Sequence, residues 1–594
     1  MGALKKYIKP HVLYIVVTMA VKFIATYMEL FIPRLMEVML RRETVAAGLQ
    51  QVFFYGGLMI LCAGACLVLN ITANRMTAFS SGRITKAIRH DLFRKLQNLS
   101  ARQMDELTVP SAESRITSDT YNINQLLTRL QRIGIRAPIL LVGGIMMMLR
   151  LDLKLSMILI ALLPVISMLV YFVTKKSMPM HIAHHETLDS LVRVVQENIT
   201  GVRVIKALSK TEHERGRFTT VNRSLSDISQ RAGMITSITG PATSIVLNLG
   251  LTLAVVVGAH QVNAGAIGSS VIIAAMQYFV MILNAMSGIT RIFIMWSRGE
   301  ASAKRVADVL NLEETLTVEE AETTETPAAD APHIEFRDVS FSYTGIGKNI
   351  DSLSFRLEHG QTLGILGGTG AGKSTILNLL LRMYDADEGQ ILIDGQDIKT
   401  IPWEQLREKF GVVFQNDFVV GGTIADNIRF FRDVSEEALE QAASCAQAEF
   451  IQEKEGGMDA EVLTRGNNLS GGQKQRLLIA RALAADPEIL VLDDASSALD
   501  YRTDAALRKA LREHYRNTTT VLVTQRISSL QHADLILVLQ EGCVIGAGDH
   551  ASLLQSCEEY RLIAETQMGC GELRDDVAAP EYRDSVLSSG KEVR

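Results

Sequence analysis

The chain's six cysteines show no metal-ligand spacing and no pattern that would frame a set of disulfides. Cys62 and Cys66 lie inside an apolar run and Cys445, Cys543, Cys557 and Cys570 are scattered, which points to a reducing compartment for the second half. Excess positive charge is also missing. Sixty Lys and Arg against 65 Asp and Glu leave a net charge of −5, which speaks against a nucleic-acid partner. The amino terminus carries lysines but no small-residue cleavage site ahead of a polar start, so no removable signal peptide is expected. Residues 312–332, LEETLTVEEAETTETPAADAP, have no basic residue at all, with seven acids and two prolines, the composition of a poorly ordered linker. Residues 571–594 are charged without periodicity and read as a flexible tail.

Charge is absent from two long stretches, between Gln51 and Asn74 and between Arg231 and Arg291. The overall composition, 47% hydrophobic and 21% charged, conceals a crowding of apolar residues into the first half. Crossing a bilayer takes about 20 apolar residues. Spans are expected near 11–33, 52–74, 133–150, 154–174, 237–259 and 268–292, with the polar break HQVNAGAIGSS between the last two. The third rests on only 13 uncharged residues between Arg136 and Arg150, a length that hydropathy alone also allows for a buried core helix. Residues 75–136 carry 11 Lys plus Arg and residues 175–231 carry 10, whereas the loops at 34–50, 150–154 and 259–267 carry 3, 2 and 0. The basic segments therefore face the cytosol. Both read as helical hairpins, with tips near 100–106 and 197–207 that can dock on a cytosolic motor. Residues 3–9 read as a surface-lying amphipathic helix or a plain basic terminus.

Polar groups inside the spans leave alternatives open. Lys22 and Glu29 fall seven residues apart on one helix face, where they either line or gate a pathway or pair structurally. Asn248, Gln277 and Asn284 suit bonds between helices or a cavity wall. Met146, Met147 and Met148 suit helix packing or an adaptable pocket.

In the second half an apolar strand-like run, 363–366, enters Gly367-Gly368-Thr369-Gly370-Ala371-Gly372-Lys373-Ser374-Thr375 and then a helical run. This is G-x-x-x-x-G-K-[ST] between strand and helix, a phosphate-binding loop. Glycines let backbone N–H groups converge on a phosphate, Lys373 reaches the β- and γ-phosphates and the Ser374 hydroxyl ligates Mg²⁺. Alternating apolar and helical runs from His333 to about Met568 indicate an α/β domain.

With LSGGQ at 469–473, ILVLDD at 489–494, SSALD at 496–500 and VVFQND around Gln415, the chain resembles the ATP-binding-cassette exporters that join six membrane spans to one nucleotide-binding domain. The resemblance covers nearly the whole length. It implies a multidomain membrane protein: an all-α six-span transmembrane domain with long cytosolic hairpins over 1–311, a linker over 312–332, an α/β P-loop ATP-binding-cassette domain over 333–570 and a tail over 571–594. It implies ATP and Mg²⁺ as ligands, Tyr343 stacking on adenine, Gln415 touching Mg²⁺ and the attacking water, and Asp493 holding water around Mg²⁺. Leu469, Ser470, Gly471, Gly472 and Gln473 would act on the nucleotide of an opposing subunit.

Two positions depart from the family. Its usual glutamate after the Mg²⁺ aspartate is Asp494 here, and its usual switch histidine is Gln525. Both catalytic positions would hydrolyse ATP slowly without preventing its binding. This resembles the degenerate-site half of heterodimeric bacterial multidrug-type exporters (the type IV arrangement), with a second half-transporter chain as partner, a small amphipathic cargo (drug-like, lipid or peptide) and a place in the cytoplasmic membrane bilayer. A homodimeric exporter or lipid flippase, and a regulatory ATP-binding subunit that does not transport, share the same motifs.

Overall fold

The computed structural model describes residues 4–568 except 314 and 320–330, so the linker expectation over 320–330, the tail expectation over 571–594 and Cys570 lie outside the described residues. The chain forms two compact units: Met1–Gln97 with Thr108–Leu312, and Asn98–Leu107 with Glu313–Arg594.

The first unit is helical. Among the described residues, six helices are long and apolar enough to cross a membrane: Lys5–Met39, Leu49–Gln97, Val109–Leu151, Leu153–Thr200, Thr211–Asn263 and Ser269–Met286. The 133–150 stretch is part of the helix Thr120–Leu151, which continues through Pro138. Spans and basic segments are not separate pieces. Leu49–Gln97 is one helix of 49 residues, about 74 Å at 1.5 Å per residue. No residue of its most apolar window is buried within the chain, and Phe53, Phe54, Ile60 and Leu61 are exposed. An apolar surface of that extent needs lipid or a neighbouring chain to cover it.

Small residues let the membrane helices approach closely. A Cβ on Gly144 would sit 2.6 Å from Ile282 Cγ1, so Thr120–Leu151 and Ser269–Leu310 meet there because glycine leaves room. Around it, Leu30, Leu140, Leu155, Tyr278 and Phe279 form a buried core, and Tyr278 donates to the Leu30 carbonyl (2.6 Å). Lys22 and Glu29 do not pair with one another. Buried Lys22 donates to Asn70 Oδ1 (2.5 Å), and Glu29 accepts from Arg136 (2.6 Å), so each ties its helix to another. Gln277 reaches Met36 Sδ on a neighbouring helix (3.0 Å), whereas exposed Asn248 donates back to Ser244 O of its own helix.

Among its described residues the second unit has twelve strands: β1 (Ile334–Phe341), β2 (Ile350–Leu357), β3 (Thr362–Gly367), β4 (Glu388–Ile393), β5 (Gln396–Asp397), β6 (Phe410–Val413), β7 (Gly422–Thr423), β8 (Glu461–Val462), β9 (Ile489–Asp493), β10 (Thr519–Val523), β11 (Leu535–Gln540) and β12 (Cys543–Gly548). A six-stranded sheet runs β12-β11-β3-β10-β9-β6, parallel throughout except for β12. An antiparallel sheet, β2-β1-β4-β5, packs beside it. Every residue of β9 is buried, as a parallel strand covered on both faces requires. Its alternation sends Ile489 and Val491 into the core shared with β1 and β2, and Leu490 and Leu492 into the core shared with the helices on the other face.

Residues 100–106 lie in the second unit. The helix Ala101–Leu107 is held there by Tyr384 donating to Asp105 Oδ2 (2.6 Å), Gln103 Nε2 donating to Glu313 O (2.7 Å) and Thr315 Oγ1 donating to Ser100 Oγ (2.9 Å). The other hairpin tip is the short helix Val202–Ala207, whose Val202 and Val204 are exposed.

Candidate functional site

The carboxyl ends of the parallel strands bring the sequence motifs together. β3 runs into the phosphate loop, and the helix Lys373–Leu380 follows. Gly372 has φ 102°, and a Cβ there would lie 2.7 Å from Ile350 Cδ1 and 2.9 Å from Asn349 O, so the loop closes only with glycine. Gly368, Thr369 and Gly370 are exposed, while Ala371 and Thr375 are buried beneath them. Lys373 Nζ donates to the Gly367 carbonyl (2.9 Å) and the Gly368 carbonyl (2.7 Å), which curls the ammonium over the loop. Burial pulls its pKa down, and the carboxylates of Asp493 and Asp494 oppose that shift.

Asp493 ends β9 and accepts from Ser374 Oγ (3.3 Å). Burial raises the pKa of Asp493 and of Asp494. A hydroxyl and a buried carboxylate side by side form a hard oxygen set that fits Mg²⁺. Gln415 is exposed two residues beyond β6, at the same edge of the sheet, because β6 pairs with β9 with Val413 opposite Leu492. Tyr343 follows β1. Its hydroxyl lies 3.4 Å from Thr375 Oγ1 and accepts from Asn378 Nδ2 (3.1 Å), so the ring is pinned to the phosphate-loop helix. Its ring also makes edge contacts with Phe341 and Tyr384.

Asp494 sits at φ 50°, and its N–H donates to the Val523 carbonyl (2.9 Å). That bond draws the end of β9 to the end of β10, whose continuation is Gln525. Asp494 and Gln525 line one cleft of about 780 Å³ with Ser497, Tyr501, Arg526 and Gln567. The signature lies elsewhere on the domain. Ser470 is exposed at the start of the helix Gly471–Leu483, in a reciprocal cap with Gln473, and Leu469 is half-buried behind it. The described hydrogen bonds of Ser470 and Gln473 stay within that cap, and a Cβ on Gly472 would lie 3.1 Å from Ala498 O. Asp500 caps the following helix, Tyr501–His514, accepting from Thr503 N (2.7 Å).

Three side chains that bind these parts together carry no spacing signal in the sequence. Gln475 donates to Ser497 Oγ (3.1 Å) and accepts from Ala498 N (2.9 Å), tying the signature helix to the SSALD segment. Arg526 donates to the Leu499 carbonyl (3.3 Å) and lies over the Tyr501 ring. Gln567 donates to the Gln525 carbonyl (2.7 Å) and accepts from Ile527 N (2.9 Å), clamping the switch backbone from the last described helix, Glu558–Met568.

A six-span helical unit followed by a P-loop α/β unit defines a multi-pass membrane protein with a nucleotide-binding domain. Residues 11–286 match the family described as ABC transporter transmembrane region, and residues 350–497 match that described as ABC transporter. The chain is 31% identical over 570 residues to the uncharacterized ABC transporter ATP-binding protein YfiB of Bacillus subtilis, covering 95% of this chain and 98% of that one. It is 32% identical over 473 residues to a protein of Mycobacterium bovis named fatty acid ABC transporter ATP-binding/permease protein, covering 79% and 74%. Its fold is similar to that of a bacterial Atm1-family ABC exporter solved with ATP bound, with a TM-score of 0.77 at 24% identity and coverage of 95% and 99%. The chain belongs to the ABC transporter family, in the form that fuses the membrane and ATP-binding regions.

Proposed function

We propose that this chain is one half of an ATP-driven exporter in a bacterial cytoplasmic membrane, and that its own nucleotide site binds ATP but hydrolyses it slowly. The observation that carries this reading is the shared cleft. Asp494 and Gln525, the two departures from the family pattern, line the same cleft, and the Asp494 N–H donates to the carbonyl of Val523, two residues before Gln525. Aspartate places its carboxylate one methylene, about 1.5 Å, short of where glutamate would. Glutamine hydrogen-bonds but never becomes cationic.

The loop amides and Lys373 would hold the nucleotide phosphates, Tyr343 offers an aromatic face to the base, Ser374 and Gln415 would ligate Mg²⁺, and Asp493 would hold water around it. When bound, the ion neutralises charge between the β- and γ-phosphates. The exposed, intact LSGGQ serves the site of a second half-transporter, which carries Glu and His at the two altered positions. Closure of two such domains on ATP moves the helix Ala101–Leu107, anchored by Tyr384 and Asp105, and with it the long helices of the membrane unit. The cargo class is a small amphipathic molecule. The apolar, methionine-bearing spans and the name of the mycobacterial relative support that choice.

The test is ATPase activity of the purified chain alone and co-expressed with a half-transporter bearing the Glu–His pair. A strong rise on pairing is expected. Vigorous hydrolysis by the chain alone, abolished by Asp494→Ala, overturns the reading.

A further inference from the structure

At the opposite edge of the ATP-binding domain, where the parallel strands begin, two histidines and a carboxylate converge. His333 is the residue before β1, His359 lies in the turn between β2 and β3, and Asp394 lies in the turn between β4 and β5. Their nearest ligand atoms all fall within 4.8 Å of one another. The scaffold beneath them is rigid. The Asp394 N–H donates to the His333 carbonyl (3.0 Å), and Thr519 Oγ1, at the first residue of β10, lies 2.6 Å from His333 Nδ1 while accepting from Gly360 N (3.0 Å).

His333 is completely buried, and its Nε2 has no hydrogen-bond partner among the described residues. It faces Asp394 Oδ1 across 4.0 Å, too far for a hydrogen bond. Either tautomer leaves that nitrogen with an unmet need, as a lone pair without a donor or an N–H without an acceptor. Burial lowers the pKa of the ring. His359 Nε2 already reaches Asp394 Oδ1 (2.9 Å). Lys409 bonds the other carboxylate oxygen (3.2 Å) and also Glu488, so the two carboxylates and one ammonium keep a net negative charge at the mouth.

We propose that His333 Nε2, His359 Nε2 and Asp394 Oδ1 bind a divalent transition-metal ion of the zinc class. Two imidazoles and one carboxylate suit zinc rather than Mg²⁺ or Ca²⁺, which favour all-oxygen sets. The Thr519 contact fixes His333 from its far nitrogen, as outer partners of metal-binding histidines do. The two rings stack at 3.9 Å and 11°, so one ion cannot lie in both ring planes as they stand. The exposed His359 is the member that turns to complete the site, and water fills the remaining position. The ion staples the residue that opens the domain to the turn that joins the two sheets and to one turn of the antiparallel sheet. It touches no nucleotide, since β10 alone, five residues at about 3.3 Å each, separates Thr519 from the switch.

The test uses the untagged full-length protein in detergent, stripped with chelator and titrated with Zn²⁺ by calorimetry, with Co²⁺ absorption reporting the ligand set. One ion per chain is expected at this site, bound at least tenfold more weakly by His359→Ala and by Asp394→Asn. ATP binding by the metal-free proteins is expected to be unchanged. Both altered side chains are at least partly exposed, so these variants are expected to fold even if His333→Ala does not. Equal Zn²⁺ affinity and stoichiometry in the parent and both variants, or no ion retained by the parent, overturns the proposal.

Discussion

If the proposed reading of a slow site holds, replacing Asp494 by Glu and Gln525 by His should speed its hydrolysis. Glutamate extends the carboxylate by about 1.5 Å, and misplacing a catalytic group by about 1 Å costs on the order of a hundredfold. Asp494→Glu alone should therefore raise the rate about a hundredfold, and a general acid–base or water-positioning group is worth about 10²–10⁴. The two changes act on one water, so their gains should not simply multiply. The cleft of about 780 Å³ has room for the added atoms. The backbone is less accommodating, because position 494 sits at φ 50°, where aspartate is better tolerated than glutamate. That costs up to about 2 kcal/mol, small beside a typical domain stability of about 5–15 kcal/mol. The assay is phosphate release by the purified chain at concentrations where it self-associates, with Lys373→Ala as the inactive control. A change of less than threefold in both single variants and the double variant, with ATP binding intact, refutes the assignment of slow turnover to these two residues.

Ser470→Ala removes the helix cap and the exposed hydroxyl together. In a complex with a competent partner it should cut ATPase activity at least tenfold while leaving ATP affinity of this chain's own site, read by equilibrium binding, within twofold. Tyr384→Phe deletes the hydroxyl that holds Asp105. Nucleotide binding should survive while transport per ATP hydrolysed falls several-fold in reconstituted vesicles, and unchanged coupling would dismiss the bond as incidental. Gln567→Ala frees the switch backbone on both sides of Arg526 and should lower turnover of the Asp494→Glu, Gln525→His protein several-fold, with little change in thermal stability. In the membrane unit, Asn70→Ala should destabilise more than Lys22→Met. The first strands a buried ammonium, whereas the second removes the charge and keeps the packing. Thermal unfolding in detergent orders the two, and the reverse order would refute the pairing.

The residues alone announced the six spans and the phosphate loop. Bilayer thickness demands about 20 apolar residues in a row, and phosphate binding demands glycine and lysine at fixed spacing, so both requirements are local and leave local marks. Asp494 and Gln525 were legible as departures only against the family pattern that the chain resembles. Their meeting in one cleft was not, because it depends on β9 and β10 lying side by side in the sheet. Lys22 and Glu29 are seven residues apart in sequence, and only packing could send one to Asn70 and the other to Arg136. Gln475, Arg526 and Gln567 grip backbone groups 23 to 42 residues away in the chain. His333, His359 and Asp394 come from three separate chain segments. A hydrogen bond to a distant carbonyl, or an orphaned imidazole nitrogen, imposes no periodicity on its neighbours, so tertiary structure alone decides what such side chains meet.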